Sequence, residues 1–247
     1  MNYNIDYAGS GPAGEIRSQT FQRYALYFDA SPAPVSEKLS DFAKYVPREA
    51  LSRFLVKYEI FKRVLHVQGS VIECGVFNGA GLMTFAQISE MLEPLNHQRK
   101  IIGFDTWSGF PHVASEDGEA QEDNFSGASY DELRRGIELW NSTRYLKHIP
   151  KVALVRGDIC ETVPIFIEQN PETVISLLYL DADLYLPTKT ALEYFVPRMP
   201  KGAIIAFDEL NDRYWPGEAA AALDTLGIRN LRIERSFATA ISFAVLE

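Results

Sequence analysis

The chain has 247 residues, of which 47% are hydrophobic and 23% charged, proportions of an ordinary globular protein long enough to bury a full core. Its formal net charge of −9 and pI near 5.1 lack the basic balance of a nucleic-acid binder, so any anionic substrate must be held by local cations or helix N-termini. Its two cysteines, Cys74 and Cys160, stand outside any CxxC pattern and fit a reducing, cytoplasmic setting. Residues 1–8 show no basic region followed by an apolar core, and the apolar runs are far shorter than a membrane span. Neither a signal peptide nor a membrane segment is expected.

Residues 1–20, with Gly9, Gly11 and Gly14, read as a loose arm, and 31–34 (Ser-Pro-Ala-Pro) as an extended break. A short helix is expected over 36–45. Pro47 then opens a longer helix ending near 68–69, in which Leu51, Phe54, Leu55, Tyr58, Phe61 and Leu65 recur as one buried stripe. Residues 1–69 are thus expected to form an arm and helical cap, covering the sheet domain or mediating assembly into a homo-oligomer, with no chemistry of their own.

From residue 70 the signals alternate. Strands are predicted over 71–76, 100–105, 152–156, 174–180 and 203–207. Helices are predicted from Gly79 to about 92, over 130–147, from Asp158 through 167, over 187–199 and over 216–226. Ser129 with Glu132 makes a capping box for the second of these. The tail, 229–235 and 237–246, reads as two strands turned at Ser236. This alternation predicts an α/β, doubly wound, mostly parallel sheet over 70–247.

The loop 106–128 breaks the pattern. More than twenty residues without periodicity inside a compact domain point to function, and a lid over a substrate site fits. It carries Glu116, Asp117, Glu119, Glu122 and Asp123, with Gly109, Gly118 and Gly127 as hinges.

Two apolar runs end abruptly in acids: 178–180 leads into Asp181-Ala182-Asp183, and 204–207 into Asp208-Glu209. Ligands of open α/β sheets bind outside the carboxyl ends of the strands. Two such strands side by side would crowd Asp181, Asp208 and Glu209, which repel unless a cation sits between them. With oxygen donors and no Cys or His, Mg²⁺ fits before Zn²⁺. Helix capping is the simpler account for any one of these acids, but not for three together.

Glu73, Gly75, Gly79 and Gly81 lie where the first strand turns into the first helix, and glycines there let a ligand approach the helix N-terminus. The spacing differs from the dinucleotide GxGxxG, and an acid at Glu73 repels a pyrophosphate but attracts a cationic sulfonium. S-adenosylmethionine is therefore the better ligand. Asp105, ending the second strand, can accept from both ribose hydroxyls, and Asp158, ending the third, can meet the adenine amino group.

These motifs, with Gly103-Phe104-Asp105-Thr106-Trp107-Ser108-Gly109-Phe110-Pro111, together resemble the TylF (macrocin O-methyltransferase) family over roughly residues 50–226. The resemblance is to metal-dependent class I methyltransferases acting on sugar hydroxyls, and within them to nucleotide-linked 6-deoxyhexose 3-O-methyltransferases. It implies a seven-stranded Rossmann-like sheet with an antiparallel final strand. It further implies that Asp181, Asp208 and Glu209 hold Mg²⁺, with Asp181 also the general base. Glu73, Gly75, Gly79, Asp105, Thr106, Ser108, Asp158 and Ile159 would line S-adenosylmethionine. The family carries two consecutive aspartates where this chain reads Asp208-Glu209, so the third ligand reaches further.

The implied substrate is a small sugar or nucleotide sugar, such as a TDP-linked rhamnose. Two other readings stand beside it. Asp181-Ala182-Asp183 matches the DxD pattern of metal-dependent glycosyltransferases, which leaves the glycine turn unexplained; a non-catalytic cofactor-binding module leaves the intact acids unexplained. Trp107 is expected to pack on adenine or close the lid, and His112 is the one histidine placed to touch substrate. Tyr185 and Tyr214 suit the core equally well, and Arg134 with Arg135 suits a solvated helix face better than a diphosphate site.

Overall fold

The computed structural model describes residues 13–122 and 124–247. Asp123 and the first twelve residues of the expected arm lie outside them. The chain divides into two compact units, one up to Arg53 and one over Phe54–Glu247.

The first unit is helical: α1 (Ala13–Ala30), α2 (Val35–Ser40), a 3-10 turn (Phe42–Lys44) and the start of α3 (Arg48–Arg63). The arm read over 1–20 is therefore helical from Ala13 on. Its helix formers carry no apolar stripe, so periodicity gave no sign of it. The rings of Tyr27 and Phe28 pack on Tyr45 with centroids 5.6 and 5.4 Å away, and the Ser31 and Tyr45 hydroxyls lie 3.0 Å apart.

The second unit contains one sheet in the order β3-β2-β1-β4-β5-β7-β6. Its strands are β1 (Ser70–Cys74), β2 (Ile101–Asp105), β3 (Val152–Arg156), β4 (Ile175–Leu180), β5 (Ile204–Phe207), β6 (Ile233–Arg235) and β7 (Ser242–Val245). The first five are parallel, while β7 runs antiparallel to both β5 and β6. The tail strands are shorter than expected, because 236–241 form a turn closed by Ser236 N–H donating to Ile241 O at 3.0 Å. The helices are α4 (Ala80–Leu92), α5 (Tyr130–Ser142), α6 (Ile159–Gln169), α7 (Tyr185–Phe195) and α8 (Pro216–Thr225). Ser129 caps α5 by accepting the Glu132 amide at 3.3 Å, and the helix stops at Ser142, short of the expected 147.

Both sheet faces are covered, as a parallel sheet requires. Val71, Leu177, Tyr179 and Ile204 point toward α3, α4 and α5, whereas Ile72, Leu178, Leu180 and Phe207 point toward α6, α7 and α8. The buried face of α3 differs from the expected stripe. Phe54 and Leu55 are exposed, and the inward residues are Val56, Lys57, Ile60, Phe61 and, just past the helix end, Val64. A lysine on the inner face shifted the apparent apolar period. Below the sheet the buried Arg99 guanidinium donates to the carbonyls of Val64 and Val67 at 3.1 and 3.0 Å, satisfying backbone groups just past the end of α3.

Candidate active site

The register pairs Leu180 with Phe207, so the next residues, Asp181 and Asp208, leave adjacent strands side by side. Asp208 N–H donates to Leu180 O at 3.0 Å, and Asp181 N–H to Cys74 O at 2.8 Å. Asp181, Asp208 and Glu209 each present a carboxylate oxygen, all within 4.8 Å of one another. Asp208 is buried, the other two half-buried. Asp183 follows in a left-handed conformation, φ 59°, and is 8% exposed.

Glu218, on α8, joins this group and was not read from the sequence. It is fully buried, and its Oε1 accepts the Glu209 amide at 3.0 Å while Oε2 has no hydrogen-bond partner. In the first turn of a helix, an acid looks like an ordinary response to the helix dipole. Burial, then the charges of Asp208 and Asp181, push its carboxyl far above the usual carboxylate range. Burial, then Asp208, Asp181 and Asp183, do the same to Glu209.

The glycine turn abuts this cluster. Gly75, φ +87°, lies against the Asp181 carbonyl, which a β-carbon would overlap. Gly79, φ +84°, is the N-cap of α4 and faces Leu133. Gly81 faces the Glu73 carboxylate, so Glu73, 1% exposed, lies beneath α4 and not in the open turn. The glycines here make room for the chain's own atoms as much as for a ligand.

Asp105 ties the turn together. Oδ2 accepts the amides of Val76 and Phe77 at 2.7 and 2.8 Å, and Oδ1 accepts Trp107 N–H at 2.6 Å. A carboxylate has about four acceptor sites, so roughly one stays available to a ribose hydroxyl. Thr106 Oγ1 donates to Gly109 O at 2.6 Å and accepts Ser108 N–H at 3.1 Å, while Ser108 itself is exposed. Trp107 is 4% exposed with its indole N–H on Phe77 O at 3.0 Å, so it locks the turn and has no face left for adenine. Asp158 caps α6 through Cys160 N–H at 2.8 Å, and Ile159 is buried behind it.

The loop 106–128 holds one 3-10 turn, Ser115–Asp117, and is seated at two places. Asp117, 1% exposed, accepts the Tyr185 amide at 2.6 Å and the Ala114 amide at 2.7 Å. Phe110 and Phe125 meet Trp215 with centroids 6.0 and 5.9 Å apart, and Phe125 meets Phe77 of the glycine turn at 5.5 Å. Aromatic spacing in an aperiodic loop gave no sequence signal for this cluster. His112, Arg134, Arg135 and Tyr214 are exposed, whereas Tyr185 is core, its hydroxyl donating to Asp224 at 2.8 Å.

Residues 56–224, which carry all these acids and glycines, match the family model described as Macrocin-O-methyltransferase (TylF). The chain belongs to the TylF family. It is accordingly a class I S-adenosylmethionine-dependent O-methyltransferase with a Rossmann-like sheet and an N-terminal helical extension. Among solved structures, the TylF-family chain is similar to CalS11, a calicheamicin methyltransferase, at 31% identity and TM-score 0.89 over 99% of this chain and 98% of that one. An apo structure of CalS11, described as a TDP-rhamnose 3'-O-methyltransferase, matches at 32% identity and TM-score 0.83 over 97% of each. The O-methyltransferase NovP, at 19% identity, TM-score 0.63 and 79% of each chain, shares the fold. No curated protein sequence matches. Among the described residues, no helix is long and apolar enough to cross a membrane.

Proposed function

We propose that this protein methylates a ring hydroxyl of a nucleotide-linked 6-deoxyhexose, the 3-hydroxyl of a TDP-sugar such as rhamnose, with a divalent cation such as Mg²⁺ at the acid cluster. The observation that carries this reading is the convergence of Asp181, Asp208 and Glu209 within 4.8 Å beside the glycine turn. The acceptor class is taken from CalS11, with which the chain aligns over nearly its whole length.

The donor set suits a hard cation. It is all oxygen, and Glu209 Oε2 is buried with no hydrogen-bond partner, so a cation would relieve both its burial and its repulsion from Asp208 and Asp181. Asp181, Asp208 and Glu209 would hold it, and when bound it supplies Lewis acidity toward a sugar oxygen. A sugar hydroxyl is a poor nucleophile because its pKa lies far above 7. Asp181, less buried than Asp208, accepts the hydroxyl proton as general base. S-adenosylmethionine supplies the methyl group on a sulfonium.

The cofactor is assigned to Glu73, Gly75, Gly79, Asp105, Thr106, Ser108, Asp158 and Ile159. Asp105 meets the ribose with the acceptor site its amide bonds leave over, and Asp158 meets the adenine amino group while capping α6. Glu73, beneath Gly81, acts through its charge. The loop 106–128 excludes water from the site. The N-terminal helical extension is assigned a homo-oligomer contact, and the protein is assigned to the cytoplasm, with both cysteines as free thiols.

The test is a panel of nucleotide sugars with a labelled methyl donor, run with EDTA and after adding Mg²⁺. Transfer to a TDP-6-deoxyhexose, lost in EDTA and restored by Mg²⁺, is expected. Excess Mg²⁺ should rescue Glu209→Gln substantially and Asp181→Asn little, because only the latter loses a base. Full transfer in EDTA would end the cation assignment, and transfer only to non-nucleotide acceptors would end the substrate assignment.

A further inference from the structure

Behind the acid cluster, on the side of the sheet facing α3 and α4, lies a buried chain of polar groups to which the proposed reaction assigns no part. Lys57, on α3, is 3% exposed, and its Nζ donates to the Tyr179 hydroxyl at 2.7 Å. Tyr179, on β4, is fully buried, and its hydroxyl donates in turn to Asp208 Oδ1. We infer that Lys57 and Tyr179 are positioning residues, which hold the Asp208 carboxylate in the orientation that receives the divalent cation. This rests on the cation reading above.

The direction of the chain follows from donor counting. An ammonium has three donors and no acceptor, so the phenol oxygen can only receive from Lys57. Its single proton must then go to Asp208, which as a carboxylate only accepts. A hydroxyl free of Lys57 could turn and point its lone pairs at Asp208, repelling it. With Lys57 in place that alternative is closed, and rotation of the carboxylate about its Cβ–Cγ bond is stopped from the core side. Partners of this outer kind orient the groups that hold a metal.

Packing alone does not account for Lys57. The buried apolar residues on the inner face of α3 are Val56, Ile60 and Phe61, and an apolar side chain of similar length would fill the same space without a buried charge. Instead the fold accommodates the cation on several sides. Its Nζ lies 3.9 Å from the Tyr179 ring centroid and 5.9 Å from that of Phe85. The lysine stem and the Glu73 carboxylate both lie against Gly81, where a β-carbon would sit 3.1 Å from Lys57 Cε and overlap Glu73 Oε1. Gly81 thus keeps space for a buried acid and a buried base behind a cluster already crowded with Asp181, Asp208, Glu209 and Glu218.

The experiment measures Mn²⁺ affinity by titration calorimetry for the full chain, Tyr179→Phe and Lys57→Met, with S-adenosylhomocysteine affinity and thermal unfolding alongside. Tyr179→Phe should weaken Mn²⁺ about tenfold, within the usual 10–100-fold range for outer partners. It should leave S-adenosylhomocysteine affinity within about twofold, since only the metal's partner is lost. Lys57→Met should weaken Mn²⁺ in the same direction. Unchanged Mn²⁺ affinity in Tyr179→Phe overturns the inference, as does an equal loss of both ligands, which would mark a packing effect. Wild-type Mn²⁺ affinity in Lys57→Met overturns the donor argument, and should Tyr179→Phe not fold, the lysine variant decides alone. Failure of the unaltered protein to bind Mn²⁺ would instead overturn the cation reading itself.

Discussion

The Asp117 carboxylate accepts the backbone amide of Tyr185 at 2.6 Å, so the middle of the long loop is fastened to the first turn of the helix that follows Asp181 and Asp183. The same carboxylate accepts the Ala114 amide, and Gly217 of α8 packs so closely that a β-carbon there would overlap Asp117 Oδ1. Removing it strands two amides. Each buried amide left without a partner costs about 1–3 kcal/mol, so Asp117→Ala should lower stability by about 2–6 kcal/mol. Asp117→Asn, which keeps one carbonyl oxygen, should lose less. Urea unfolding of the three proteins checks the order, and an Asn variant as weak as Ala would show that the seat depends on charge and not on the amide bonds.

Asp105 is expected to serve two ends, because it holds the turn and is the residue proposed to meet the ribose. Asp105→Ala should weaken S-adenosylhomocysteine about 10–100-fold, the equivalent of losing charge-assisted bonds of about 1.5–3 kcal/mol. It should also lower the unfolding temperature, since three amides lose their acceptor. Calorimetry and thermal unfolding separate the two effects. Unaltered cofactor affinity with reduced stability would make Asp105 a turn residue alone.

The sheet was legible because each parallel strand is a mainly apolar run, broken in β1 by Glu73, that leads into a glycine or an acid. The acid triplet followed from strand order, since Asp181 and Asp208 each stand one step beyond a paired residue. Lys57 and Glu218 were not legible, for one physical reason. A charged side chain is read as solvent-facing, and both are buried by partners more than a hundred residues away or on another element. Asp117 and the ring cluster of Phe77, Phe110, Phe125 and Trp215 were hidden because an aperiodic loop has no face to predict. For Trp107, expected to pack on adenine or to close the lid, the positive φ and the bond to Phe77 make it part of the turn at the base of the loop.

The raised carboxyls of Glu209 and Glu218 set a pH dependence. Folding favours their protonated forms, so their stabilising effect is full below the ordinary carboxylate pKa and is lost as pH rises through the raised values. The cation-free protein should therefore lose stability at alkaline pH. The cation proposed for this cluster would displace those protons, so its affinity should rise with pH. Unfolding temperatures in EDTA and in MgCl₂ between about pH 6 and 9 test this, with the gap widening upward. A gap independent of pH would count against proton displacement at the cluster.

Glu218→Gln removes one of the crowded ionisable groups but keeps an oxygen for the Glu209 amide. In EDTA its stability should fall less steeply with pH than that of the unaltered chain. Glu218→Ala should be less stable than Glu218→Gln by about 1–3 kcal/mol, the cost of the stranded Glu209 amide. Identical pH slopes for Glu218→Gln and the unaltered chain would remove Glu218 from the electrostatics of the site.

Gly75 and Asp181 touch through backbone alone: the Asp181 carbonyl occupies the place of a Gly75 side chain, and the Asp181 amide donates to Cys74 O. The glycine turn and the acid cluster are therefore two ends of one gauge, whose length is set by hydrogen-bonded strands and not by adjustable side chains. A change confined to the loop 106–128 leaves that length as it is, because neither contact is made by an atom of the loop.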